Sequence, residues 1–103
     1  RHLPELRRLC REHRLSRLWL FGSALRADFG PDSDVDLLYE MEAGLDPEQT
    51  GTLFWSLLRS LETLLGRPVD LLRRSSLQNP YLLAEIEETE VLIYDAAGEA
   101  LPV

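Results

Sequence analysis

At 103 residues with 45% apolar content, the chain is expected to form one domain, residues 1–103, around a single hydrophobic core. Eleven Arg and no Lys stand against 18 acidic residues, for a net charge of −7; this argues against direct nucleic-acid binding, which depends on basic groups to neutralise phosphates, but leaves room for a nucleotide whose charge is bridged by metal ions. A lone cysteine (Cys10), no apolar run near the ~20 residues that span a bilayer and no apolar signal core in the Arg-rich N-terminal segment together predict no internal disulfide, no membrane association and a cytoplasmic protein.

Leu3, Leu6, Leu9, Cys10 and His13 recur at helical spacing, which predicts a helix over 3–14. Arg17 to Phe21 (RLWLF) is short, apolar and partly aromatic, ends at Gly22, and reads as a strand. A short helical turn is expected from Ser23, then a loop over Asp28 to Ser33, where Asp32 and Ser33 are loop-shaping residues. Asp34 to Met41 (DVDLLYEM) reads as a second strand.

Asp46-Pro47-Glu48-Gln49 carries three helix-start signals: a capping Asp, Pro at the first helical position and Gln where a capping-box partner belongs. The helix that follows places Leu53, Phe54, Leu57, Leu58, Leu61, Leu64 and Leu65 on one face and stops at Gly66. Pro68 to Leu72 is a third strand, its Pro suited to the first position or an edge. Asn79-Pro80 opens a helix of about 80–88, and Val91 to Tyr94 is a last strand. Counting the turn at Ser23, the order is α-β-α-β-α-β-α-β, which predicts an α/β domain with helices packed on one sheet; order alone does not say whether that sheet is parallel or mixed.

Three features carry chemistry. Gly22-Ser23 follows a strand and opens a helical turn, so the backbone can approach a phosphate and present free N–H groups. Asp34 and Asp36 sit at i and i+2 of an extended segment, which puts both carboxylates on one face while Val35 and Leu37 point into the core. Such like charges repel unless a cation lies between them, and Mg²⁺ takes one or two carboxylates together with substrate phosphates. Asp70 stands between Val69 and Leu71 in an apolar strand; if that strand lies beside the Asp34 strand, a third carboxylate joins the pair. Three carboxylates next to a phosphate-gripping turn suit two-metal phosphoryl transfer.

Gly22-Ser23, ten intervening residues, then Asp34-Val35-Asp36 resembles the signature of the DNA polymerase β-like nucleotidyltransferase superfamily. The longer run FGSALRADFGPDSDVDLLYE, with RPVDLL and SLQNPYLLAEIEETEVLIYDA, is similar to the minimal nucleotidyltransferase (MNT) antitoxins paired with HEPN toxins, over nearly the whole chain. The resemblance implies the polymerase β-like fold, a small mixed β-sheet with helices packed against it. It implies that Gly22 and Ser23 grip the triphosphate of ATP and that Arg26 contacts phosphate. Asp34 and Asp36 would bind two Mg²⁺ ions, and Asp70 would bind the catalytic ion and help activate the acceptor. It further implies transfer of AMP to a tyrosine of a HEPN-type RNase toxin. Where the family often has Arg-Ala-Arg-Gly after Gly-Ser, this chain has Ala24-Leu25-Arg26-Ala27. Two alternatives remain at this stage: a non-catalytic antitoxin that masks its partner, and a nucleotidyltransferase acting on a small molecule.

The other notable residues read as structural. Cys10, Trp19, Trp55, Leu82, Leu83 and Ile86 are expected in the core, and His2 and His13 at surface or half-buried positions. Arg73-Arg74 reads either as a solvated pair or as a basic edge beside the site. Apolar surface on the 53–65 helix that a small sheet cannot cover would suit a partner interface.

Overall fold

The computed structural model describes residues 3–21 and 34–99; the expected turn at Ser23 and the loop over 28–33 lie outside them. Helix α1 (Leu3–Glu12) buries Leu9 and Cys10 and ends two residues before the expected 3–14 boundary. Arg14 adopts a φ of 60°, a left-handed conformation that cannot continue an α-helix. The His13 N–H still donates to the Leu9 carbonyl at 3.0 Å, and the chain then turns into strand β1 (Leu15–Phe21), two residues earlier than expected. His13 is buried, a departure from the surface or half-buried expectation. Its Nδ1 lies 2.8 Å from the Leu9 carbonyl oxygen and its Nε2 2.9 Å from Ser56 Oγ. With both ring nitrogens partnered, burial carries no unsatisfied polar group.

Strand β2 (Val35–Met41) pairs antiparallel with β1, setting Leu18 opposite Tyr39, Leu20 opposite Leu37 and Phe21 opposite Asp36. Strand β3 (Val69–Arg73) runs parallel to β2 on its other side, and β4 (Val91–Asp95) runs antiparallel to β1. The sheet is therefore mixed, in the order β3-β2-β1-β4. Pro68 precedes the edge strand β3, where its missing N–H breaks no ladder, and its carbonyl accepts from Val35 N–H at 3.0 Å.

Between β2 and β3 runs helix α2 (Pro47–Leu65), with the start its sequence announces. The Asp46 carboxylate accepts from Gln49 N–H at 2.7 Å, and the Gln49 side chain accepts from Asp46 N–H at 3.1 Å. Gly66 closes it at φ 69°, the left-handed cap conformation glycine adopts without a Cβ clash. Helix α3 (Pro80–Thr89) is capped by the Asn79 side chain, which accepts from the N–H groups of Tyr81 and Leu82. A four-residue helix α4 (Ala96–Glu99) follows β4; the sequence reading missed it because one turn has no periodicity to detect.

Each sheet face has its own core. Val35, Leu37, Tyr39 and Met41 of β2 face α1 and α2, and pack with Leu9, Leu15, Leu18, Leu57, Leu61 and Leu71. On the opposite face Trp19 and Leu38 meet Ile86 of α3, with Phe21 and Leu77 against them. Leu53, Phe54, Leu58, Leu64 and Leu65 lie partly buried against the first core as expected. Trp55 does not: it is 63% exposed, because it falls on the far side of α2 from Leu57 and Leu61, with its ring edge-on to Phe54 at a centroid distance of 5.2 Å. Leu82 is likewise exposed, since α3 spends its single buried position on Ile86. Gly51, mid-helix in α2, costs about 1 kcal/mol relative to Ala.

Arg73 and Arg74 are partly exposed, and each is paired with a glutamate. Arg73 Nε donates to Glu40 Oε1 at 3.1 Å, and the other Glu40 oxygen accepts from Ser75 N–H at 2.6 Å. Arg74 makes a two-point contact with Glu90 at 3.1 and 3.3 Å and stacks 5.2 Å over the Trp19 ring. Glu40 thus fastens the 3-10 turn Arg74–Ser76 that ends β3, and Arg74 fastens the C-terminus of α3. Burial pushes the Glu40 carboxyl up, but the hydrogen bonds from Ser75 and Arg73 outweigh it and hold the group below 4.5.

Three substitutions test this packing. Leu57→Ala opens a cavity in a fully buried position and is expected to lose about 2–5 kcal/mol in chemical denaturation, while Asp46→Ala loses about 1 kcal/mol. Glu40, depressed in the fold, stabilises it above pH 4.5 and ceases to do so as pH falls through the folded value. Glu40→Gln should therefore lower stability at neutral pH and flatten the acid limb of the stability–pH curve; parallel wild-type and variant limbs between pH 5 and 3 (roughly the carboxylate range) would contradict this.

Candidate active site

The apolar alternation of β2 decides where its polar side chains go. Because Val35, Leu37, Tyr39 and Met41 are drawn to the α1/α2 face, Asp36, Leu38 and Glu40 must point to the other. The same alternation in β3 buries Val69 and Leu71 and turns Asp70 the same way. Parallel pairing places Asp36 directly beside Asp70, so the strand adjacency on which a third carboxylate depends is present. Asp34 lies one residue before β2, two before Asp36. Asp36 is half-buried, and Asp34 and Asp70 are exposed.

Neighbouring strands lie about 4.8 Å apart. Like charges at directly registered strand positions disfavour each other unless a cation lies between them. Among the described residues, Asp34, Asp36 and Asp70 included, no three His, Cys, Asp or Glu side chains are grouped closely enough to hold a metal ion. The donor set is purely carboxylate oxygen, the hard ligand chemistry that suits Mg²⁺, which takes few protein ligands and fills the rest with phosphate and water.

Phe21, the last residue of β1, is the cross-strand partner of Asp36, and Gly22 and Ser23 follow it directly in sequence. Gly22, Ser23 and Arg26, the expected phosphate-binding residues, lie outside the described residues. The sequence reading overlooked Glu40, although it shares the i, i+2, i+4 alternation of Asp34, Asp36 and Leu38 that would have placed it on this face. It also left Arg74 and Glu90 unassigned, since a pair sixteen residues apart has no local signature. These side chains belong to the far end of the same face. There a groove of about 700 Å³ is lined by Ser16, Trp19, Glu40, Arg74, Glu90 and Asp95, two rows along β2 from Asp36. Its charges are mutually paired, Arg17 with Asp95 at 3.4 Å included, so it braces the sheet rather than offering an open charge. Among the described residues no helix is long and apolar enough to cross a membrane.

Comparison with known proteins agrees with this architecture. A candidate protein adenylyltransferase of Methanocaldococcus jannaschii is 33% identical over 100 residues, spanning 89% of this chain and 96% of its own. A second from the same organism is 30% identical, spanning 88% and 97%. A solved structure described as a minimal nucleotidyltransferase superposes with a TM-score of 0.70 at 30% identity, covering 87% of each chain. A toxin–antitoxin complex with AMP-PNP gives 0.70 at 21% identity over 96% of this chain and 77% of the matched one. The MNT antitoxin complex with tri-AMPylated Shewanella oneidensis HEPN toxin gives 0.62 at 20% identity, over 96% and 74%; at such identities these last two speak for the fold alone. The description of the nucleotidyltransferase domain matches residues 3–93, nearly all of the chain and both carboxylate strands. With its mixed sheet and the carboxylates of β2 and β3 side by side, this chain belongs to the nucleotidyltransferase domain family and is a nucleotidyltransferase.

Proposed function

We propose that the protein is an Mg²⁺-dependent adenylyltransferase that transfers AMP from ATP to a tyrosine hydroxyl of a HEPN-type toxin, and so acts as its antitoxin. The observation that carries the reading is the β2–β3 register, which sets Asp36 beside Asp70 with Asp34 two residues away. Relatives described as protein adenylyltransferases and structural neighbours that are antitoxins bound to their toxins support the substrate class and the partner.

In this reading Asp34 and Asp36 would hold the Mg²⁺ ions, and Asp70 would join them on the acceptor side. Bound Mg²⁺ supplies charge neutralisation for the triphosphate and its departing pyrophosphate. Gly22 and Ser23, which follow the strand partner of Asp36, bind the phosphates through backbone N–H groups and the hydroxyl, and Arg26 adds a positive charge. The tyrosine oxygen attacks the α-phosphorus, the bond from that phosphorus to the α,β-bridging oxygen breaks, and pyrophosphate leaves. The phenolic proton passes to the Asp70 carboxylate. The chain's own part is orientation: β2 is covered on its other face by α1 and α2, so its carboxylates cannot swing away from the register.

The test is transfer of label from α-labelled ATP to the cognate toxin. Asp36→Asn should lower the rate by about a thousandfold or more, the several kcal/mol a catalytic metal supplies. It should leave the fold intact, since Asn keeps the size and shape of the half-buried side chain. If the variant neutralises the toxin as well as wild type while no label is transferred by either, the protein acts by masking and the adenylyltransferase reading is wrong.

A further inference from the structure

Strand β3 turns two side chains to the carboxylate side, Asp70 and Leu72, because Val69 and Leu71 are drawn into the core on its other face. Both are exposed. Leu72 leaves 41% of its surface in solvent and belongs to neither buried cluster, nor to the residues packed against them. Its partner in the parallel ladder is Leu38, which is fully buried and packs with Ile86 of α3. The cover that α3 gives to β2 therefore does not extend over Leu72. The fold alone gains little from a leucine there, since short edge strands are normally protected by charge rather than by apolar side chains.

The strand order assigns this open strip to one of the two substrates. Strands β1 and β3 flank β2 on opposite sides. Gly22 and Ser23, the phosphate-binding residues of the reading above, follow β1 in sequence, so the nucleotide belongs to the β1 side of Asp36. Asp70, which takes the acceptor's proton in that reading, belongs with Leu72 to the β3 side. Residues two apart on a strand lie about 6.6 Å from each other on one face, close to the reach of a tyrosine side chain from its Cβ to its hydroxyl oxygen. A phenol whose oxygen sits at Asp70 and whose ring lies along β3 therefore covers Leu72. On the strength of the adenylyltransferase reading, we infer that Leu72 is the apolar seat of the acceptor's aromatic ring. Ring and leucine leave water together, while Asp70 meets the hydroxyl at the ring's far end. An apolar body with one polar tip is the ligand that such a pair of side chains fits.

Steady-state transfer of AMP from α-labelled ATP to the cognate toxin, with each substrate varied in turn, tests this. Leu72→Ala should raise the KM for the toxin about five- to tenfold, the worth of a partly exposed leucine's remaining burial, and leave the KM for ATP unchanged. Leu72→Met keeps the apolar surface and should stay close to wild type. Thermal unfolding of both variants should match wild type, since Leu72 packs in neither core; a raised KM is then not a folding defect. An unchanged toxin KM in Leu72→Ala overturns the inference and leaves the adenylyltransferase reading standing. A rise in the KM for ATP in place of the toxin also overturns it, and would give Leu72 to the adenine ring. Absence of label on the toxin with wild type overturns the reading itself, and the seat with it.

Discussion

Everything at the candidate site depends on one backbone constraint, the parallel pairing of β2 with β3. Asp36 and Asp70 are registered residues, although like charges side by side do not favour each other. Two forces hold them there. Val35, Leu37, Val69 and Leu71 are buried on the reverse of the same strands, and fully burying an aliphatic side chain is worth about 1.5–3 kcal/mol. A one-residue slip of β3 would expose its buried side chains and turn Asp70 into the core. Like-charge repulsion between side chains that reach solvent is small against that penalty. The fold can therefore keep a destabilising pair of like charges in register, as a cation-binding site requires.

The edge position of β3 makes this register depend on more than the ladder. An edge strand has a neighbour on one side only, and β3 is five residues long. It is fastened at both ends by glutamates. Glu62 of α2 accepts from Val69 N–H at 3.2 Å at its start, and Glu40 receives Arg73 and Ser75 at its end. Arg74 then carries the brace to Glu90 and the Trp19 ring. Part of the chain's acidic charge is used in this way: Glu40 and Glu62 pin the strand that carries Asp70.

Much of this was legible in the sequence, and the limits have physical causes. Caps and periodic faces are local, so Asp46, Gln49, Gly66 and Asn79 could be assigned from neighbours alone, and the strands around Leu37 and Leu71 from their alternation. Boundaries slipped by one or two residues where a single backbone angle decides them, as at Arg14. Burial was misjudged where only the angular position on a helix matters. Trp55 and Leu82 are apolar, but they point away from the sheet. His13 was misjudged for the converse reason: its partner Ser56 is 43 residues away, and no local pattern reports a hydrogen bond between α1 and α2. The pairing of Arg73 and Arg74 was equally non-local. The mixed character of the sheet came from the resemblance, since element order does not fix strand direction.

The carboxylates share their sheet face with Trp19, Leu38 and α3, whereas α1 and α2 cover the reverse. An acceptor protein at Asp34, Asp36 and Asp70 would therefore approach the side that carries α3. The packing of Val35, Leu37, Val69 and Leu71 that holds the β2–β3 register would lie outside its contact, so the acceptor could bind and leave without disturbing the pairing on which the site depends.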